Sequence, residues 1–244
     1  DGEATHFFGQ LGSVWVKWEC HTEFVSYTAI LDDLGNVPFD GSEFDIFPAE
    51  WLADLPGLTL SSTSLRIEPD LETESIKGKL SDWFVSESLA VSRVLDNAAV
   101  IAGDYRMDGN GHLRFAVFVP PSTGRRRVGR IVQRLNEIEA YKTMSMLGLI
   151  RARALSSQLN LIDADMSELV AALADDQISA EDNLHALLRL SAKLEHHSAR
   201  VAYRFAASKA YSAILAQRIE VLRERQFEGR QTFREFMMRR FDPA

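Results

Sequence analysis

Cysteine is nearly missing from this chain. Cys20 is the one example in 244 residues, so no internal disulfide can form and the fold must rest on its core. Proline is absent from residue 122 to residue 242, which removes the commonest helix breaker from half the sequence. No window of about 18 apolar residues occurs, so nothing in the chain reads as a membrane span. No glycine-rich phosphate loop is present. No two histidines sit four apart around a glutamate, which excludes the zinc-hydrolase helix motif. A basic face interleaved with aromatics is also lacking, and the net charge is −8; nucleic acid is therefore not an expected partner. Asp1 is not a methionine and no basic-then-apolar leader follows it. Phe241-Asp242-Pro243-Ala244 does not read as a finished end, so a fragment of a longer protein is expected.

What is present is ordinary globular material, 46% hydrophobic and 25% charged, enough for a sizeable core. The charge is unevenly placed. Residues 1–120 hold 7 Lys+Arg against 20 Asp+Glu, a balance of −13, and residues 121–244 hold 20 against 15, a balance of +5. An acidic head on a basic body suggests self-association or a docking surface.

The first half reads as strands and short helices. Period-two patterns predict strands over Gly12–Trp18 and Glu23–Leu31, joined through Cys20-His21-Thr22. A short helix is expected from Phe47 to Leu55, with Pro48 in its first turn, and a weaker strand from Leu58 to Ile67. Val85–Leu95 fits either element. Ala98–Arg106 and His112–Val119 are strands around the turn Met107-Asp108-Gly109-Asn110-Gly111, and Pro120-Pro121 stops further pairing.

Beyond Ser122-Thr123 the period becomes helical. Val128, Ile131, Val132, Leu135, Ile138, Met146 and Leu149 mark a helix running to about Ala174. Asp175-Asp176-Gln177 reads as the turn, and Ser179 with Asp182 as an imperfect capping box for a second helix. That helix carries a seam through Leu187, Leu190, Leu194, His197, Val201, Ser208, Tyr211, Leu215 and Leu222. Gly229 breaks or kinks it, and Thr232–Phe241 starts a third. The expected fold is α+β: a mainly antiparallel α/β head over residues 1–121, then a long antiparallel, coiled-coil-like helical hairpin within a domain over residues 122–244. The hairpin is too long to bury all its apolar surface on such a head, so a homo-oligomer is expected.

No constellation reads as a catalytic, cofactor or metal site. Asp182 and His185 share a helix face but lack the partners of a di-metal bundle. Glu137 and Glu139, two apart, point to different faces; Glu139 is expected to meet Arg204 or Arg218 across the hairpin as a structural ion pair. Cys20 and His21, adjacent on a strand, point to opposite sides. Arg125, Arg126, Arg127 and Arg130 crowd a helix start after Gly124, against the helix dipole; the acidic head is their expected partner. Tyr141, Tyr203, Arg204 and Tyr211 are candidate interaction residues, with Tyr141 and one of the other two rings expected to be mostly buried. The chain is thus expected to be no enzyme and to need no cofactor.

Three blocks carry a family resemblance: Val16-Lys17-Trp18-Glu19-Cys20-His21-Thr22-Glu23-Phe24; Gly129-Arg130-Ile131-Val132-Gln133-Arg134-Leu135-Asn136-Glu137-Ile138-Glu139-Ala140-Tyr141; and Tyr203-Arg204-Phe205-Ala206-Ala207-Ser208-Lys209-Ala210-Tyr211, continuing from Gln217 to Glu224. Together they resemble the proteobacterial family of predicted membrane-anchored proteins of unknown function (domain of unknown function 3422). Cys20 stands where arginine is common there, and Asn136 where leucine is common. The resemblance implies a C-terminal membrane anchor beyond Ala244 and a place on the cytoplasmic face of the bacterial inner membrane. The function it implies is a membrane-anchored, oligomeric scaffold or assembly protein without catalytic activity. The order of an α/β head, long helices and C-terminal membrane helices is also similar to the CorA-type magnesium channels. That analogy implies an alternative, a cytoplasmic regulatory domain of a divalent-cation transporter, with divalent cations bound by the acidic head.

Overall fold

The computed structural model describes residues 4–32, 35, 37–40, 46–174 and 179–241. They form an α+β protein in two compact units: residues 1–124 together with 225–244, and residues 125–224. The proline pair marks the end of the head's first seven strands to within a few residues. The last twenty residues, assigned by sequence to the helical domain, belong to the head unit.

The head begins with an antiparallel meander, β1 (His6–Leu11), β2 (Val14–Cys20) and β3 (Val25–Ile30). Gly12, at φ +61°, turns β1 into β2, so the strand expected from Gly12 starts two residues later and β1 is an addition. Trp18 sits opposite Phe7 on one side and Tyr27 on the other. Tyr27 meets Trp51 of α1 (Ala49–Asp54) edge-on at 5.0 Å.

A second sheet has the order β4-β7-β6-β5-β8, built from β4 (Thr63–Glu68), β5 (Ala90–Val94), β6 (Ala99–Met107), β7 (Leu113–Phe118) and β8 (Arg225–Gln226). The turn read at residues 107–111 joins β6 to β7, and Asp108 accepts the Asn110 and His112 amides at 2.9 Å. All pairs are antiparallel except β4 with β7. The region that fitted either element divides into a 3-10 turn at Ser86–Ser88 and β5.

Between β4 and β5 lies α2 (Thr73–Trp83), whose Ile76 and Leu80 are fully buried against Val91, Val100, Ala102, Ala116 and Phe118. At about 25 cal/mol per Å² of apolar area, this layer is the main source of head stability. The side chain of Glu72 caps α2 by accepting the amides of Glu74 and Ser75. On the other face, Phe115 lies 6.1 Å from Phe233 of α5 (Phe233–Phe241). Gly103 is required there, because a Cβ would lie 2.6 Å from the Phe115 ring.

The C-terminal segment is stitched to β5. β8 pairs Gln226 with Ser92, the Val91 amide donates to the Gln231 carbonyl at 2.9 Å, and the Phe233 amide donates to the Ser92 hydroxyl at 3.2 Å. α5 opens with a reciprocal capping box. Thr232 Oγ1 accepts the Glu235 amide at 3.1 Å, and Glu235 accepts the Thr232 amide at 2.7 Å. The Thr232 amide is the main reason the Glu235 carboxyl titrates below the usual range.

The second unit is the hairpin. α3 (Arg125–Ala174) has 50 residues and α4 (Ala180–Val221) has 42, about 75 Å and 63 Å of helix. Ser179 caps α4 by accepting the Asp182 amide at 3.1 Å, as the capping box implied. The expected turn residues 175–177 lie outside the described residues. α4 stops at Val221, before Gly229, because the chain turns there into β8. At the closest approach a Cβ on Gly148 would stand 2.6 Å from Ser208 Oγ, so glycine sets the helix spacing.

Gly148→Leu should therefore lower the urea midpoint of the chain, by about 2 kcal/mol of overpacking. Pairing it with Ser208→Gly should recover part of the loss, measured by circular dichroism. A second expectation comes from the head. Asp70 accepts the Ser75 hydroxyl at 2.6 Å, the Glu72 amide at 2.9 Å and Lys79 Nζ at 3.0 Å. The Ser75 bond, working against burial and helped by the Glu72 amide and Lys79, brings its pKa down to about 2. A carboxyl depressed in the folded state stabilises above its unfolded pKa and loses that contribution as pH falls. Asp70→Asn should cost about 2 kcal/mol at neutral pH, and should flatten the loss of stability between pH 4 and pH 2 in acid titrations.

Candidate functional site

The head offers two polar assemblies. Asp104 is fully buried in a bulge of β6, where the register shifts between Gly103 and Met107. Its carboxylate accepts the Val85 amide at 3.1 Å, the Arg106 amide at 3.1 Å and Arg114 at 3.0 Å, while Arg106 Nε donates to Ser88 at 2.9 Å. The next residue, Tyr105, takes φ +53° and stacks on Phe236 at 4.3 Å. This is a clamp joining the bulge to the Ser86–Ser88 turn, with the carboxylate already engaged on both oxygens. It was not foreseen, although an aspartate in the apolar run of residues 98–105 was a signal that a buried carboxylate needs partners.

Beside it lies an open groove of about 390 Å³, lined in part by Glu87, Gln226, Arg230, Glu235 and Arg239. Its charges are of both signs, and Glu235 is held by its capping role. Among the described residues no three His, Cys, Asp or Glu side chains form a metal-ligand group. Cys20 is exposed, and the His21 ring stacks on Phe24 at 4.2 Å. Asp182 accepts the Ser179 hydroxyl at 2.7 Å, so it serves the helix start, and His185 stands 3.9 Å from Glu181.

The candidate interaction residues of the hairpin are not one patch. Arg125, Arg126, Arg127 and Arg130 are exposed along the first turns of α3, and the first turn itself contains no acidic residue. Glu139 is buried and bound to Lys142 at 2.6 Å and Thr143 at 3.1 Å. Arg218, one of the two arginines expected near Glu139, meets Glu137 at 2.6 Å, and Arg134 holds that same carboxylate at 2.7 Å. Tyr141 and Tyr211 stack at 6.0 Å across the hairpin and are half-buried, whereas Tyr203 is 66% exposed. Arg204 is half-buried, its guanidinium 5.8 Å from the Tyr203 ring. The packing expectation, which asked for Tyr141 and one of the other two rings, is met in part by Tyr141 and Tyr211, both half-buried.

A different feature of the hairpin emerges from its seam. Its centre runs through Tyr141, Gly148, Leu155, Ile162 and Leu169 at seven-residue steps on α3, and through Asn183, Leu190, His197, Arg204 and Tyr211 on α4, all buried or half-buried. A seven-residue step is the repeat of supercoiled helices. Positions one and four residues after each centre fall on the same flank of both helices, because the helices run in opposite directions. Positions three after and one before fall on the other flank, where Lys193 and Asp165 pair at 2.8 Å.

The two flanks differ in chemistry. From Leu149 to Phe205, the charged flank holds Arg151, Asp165, Glu168, Asp182, Arg189, Lys193 and Arg200. The opposite flank holds a single ionisable residue, Asp163, among Leu, Val, Ala, Ser, Met and Phe. On it Leu159 is 41% exposed, Val170 58%, Leu184 54%, Leu187 41% and Leu194 39%. Leu187 and Leu194 were read from sequence as seam residues; they lie four positions after its centres and, with Leu149, form this outer face. The arrangement is a continuous apolar strip on two rigid helices, suited to bury against another helical surface.

No curated protein and no solved structure matches the chain. A family model does, over residues 1–244, and by that match the chain belongs to the family described as Protein of unknown function (DUF3422).

Proposed function

We propose that this chain is the non-catalytic part of a scaffold or assembly protein that associates with itself through its helical hairpin and is held at the cytoplasmic face of a bacterial inner membrane by a segment outside these residues. Among the described residues no helix is long and apolar enough to cross a membrane, so the tether in this reading comes from the family resemblance.

The observation that carries self-association is the uncharged flank of α3 and α4. It runs from Leu149 to Leu173 and back from Leu184 to Phe205, about 36 Å of two-helix surface at 1.5 Å per residue. With a width of about 20 Å for two helices, it would cover roughly 700 Å² per copy, close to the ~800 Å² per partner of a standard stable interface. Its opposite flank, rich in both charge signs, supplies the solvated side. Two copies laid face to face complete a four-helix bundle.

Sedimentation velocity over a concentration series should find a dimer or higher oligomer of this chain. Leu159→Glu together with Leu194→Glu should yield a monomer of unchanged helicity, because each glutamate would be buried without a partner. A wild-type chain that stays monomeric at every concentration overturns the reading.

A further inference from the structure

We infer that the partner on the uncharged flank is a second copy lying antiparallel, the tip of one hairpin against the body of the other. This rests on the self-association proposed above and adds its direction.

The apolar strip alone does not choose a direction. Its middle falls near Leu159 on α3 and Leu194 on α4, and its ends balance. Leu173 and Leu184 stand at the tip end, Leu149 and Phe205 at the body end. A two-fold axis through the middle, perpendicular to the helices, brings tip end onto body end and covers the whole strip. A two-fold axis along the hairpin covers it equally well, with tip on tip.

Charge separates the two arrangements. Toward the tip, the described residues 163–174 and 179–182 contain five Asp+Glu and no Lys or Arg. The flanking stretches 140–162 and 183–218 contain nine Lys+Arg and one acidic residue, Glu195. Tip-on-tip pairing gathers ten carboxylates, Asp163, Asp165, Glu168, Glu181 and Asp182 of each copy, at one end of the bundle, spread over about two Debye lengths (~10 Å each at 0.1 M salt). Tip-on-body pairing sets each acidic tip against a basic body, at both ends of the bundle at once, as an isologous interface requires. The charges lie around the strip and the apolar side chains fill its centre, so the charges act as rim contacts. Such contacts fix register and orientation more than affinity.

The test measures direction separately from association. In a Cys20→Ser background, Ala171→Cys carries a spin label on the outer side of the tip, ten residues beyond the middle of the strip. Antiparallel copies hold the two labels at least about 30 Å apart along the helices, while tip-on-tip copies hold them within about 20 Å, two helix diameters. The expected result is a single long distance. A short distance in a dimer overturns the direction and leaves self-association standing, and a strict monomer overturns both. A second arm reverses the tip charge by Asp163→Lys, Glu168→Lys and Glu181→Lys, with helicity checked by circular dichroism. Dimerisation at low salt should weaken about tenfold or more, and the difference from wild type should shrink as salt rises. Unchanged dimerisation of the folded variant at low salt would show that the tip charges do not set the direction.

Discussion

Two antiparallel helices standing alone can hide only the seam between them. That constraint governs the second unit of this chain. The seam is set by Gly148, which lets Ser208 approach to the limit of contact, and is extended by the Tyr141–Tyr211 stack and the Ile162–Leu169–Leu190 cluster. Between Leu149 and Phe205 the apolar residues off the seam are largely exposed. The chain places such residues unequally, with one flank almost free of ionisable groups and the other crowded with them. A random spill of leucines would load both flanks.

The head obeys a different rule. Its second sheet is covered on one face by α2 and gains α5 on the other, and it needs the chain to return from the hairpin to supply β8 and the capped start of α5. Three of its carboxylates are satisfied locally: Asp104 by three donors, Asp70 by another three, Glu235 by the amide it caps. A carboxylate so engaged is a fastener, since a general base needs a free lone pair aimed at a substrate. The head's polar clusters therefore account for rigidity, and the functional reading falls on the hairpin surface.

Much was legible locally. The Asn-Gly turn at residues 109–111, the proline stop at 120–121, the long helix to Ala174 and the Ser179 cap each depend on side chains within a few residues of the backbone they control. What was missed depended on distant partners. α2 has few apolar residues and an internal Gly78, and it is stabilised by burying Ile76 and Leu80 on strands that come later in the chain. β1 and β8 are short or weakly patterned and exist through pairing. The parallel match of β4 to β7 spans some fifty residues, and no local periodicity encodes it.

Of the candidate interaction residues, the sequence marked Tyr141 as packed, but it could not tell Tyr211 from Tyr203. Helical phase drifts about 20° per seven residues, so over 50 residues a small difference in supercoil decides whether a position sits at the seam or on a flank. By itself the sequence determined that there would be a head, two long helices, a serine cap at the start of the second and more apolar helix surface than one hairpin can bury, since these follow from composition and local periodicity. Only the tertiary structure decided which leucines lie at the seam and which make the outer face, because that depends on the register and supercoil of two helices packed against each other at Gly148 and Ser208.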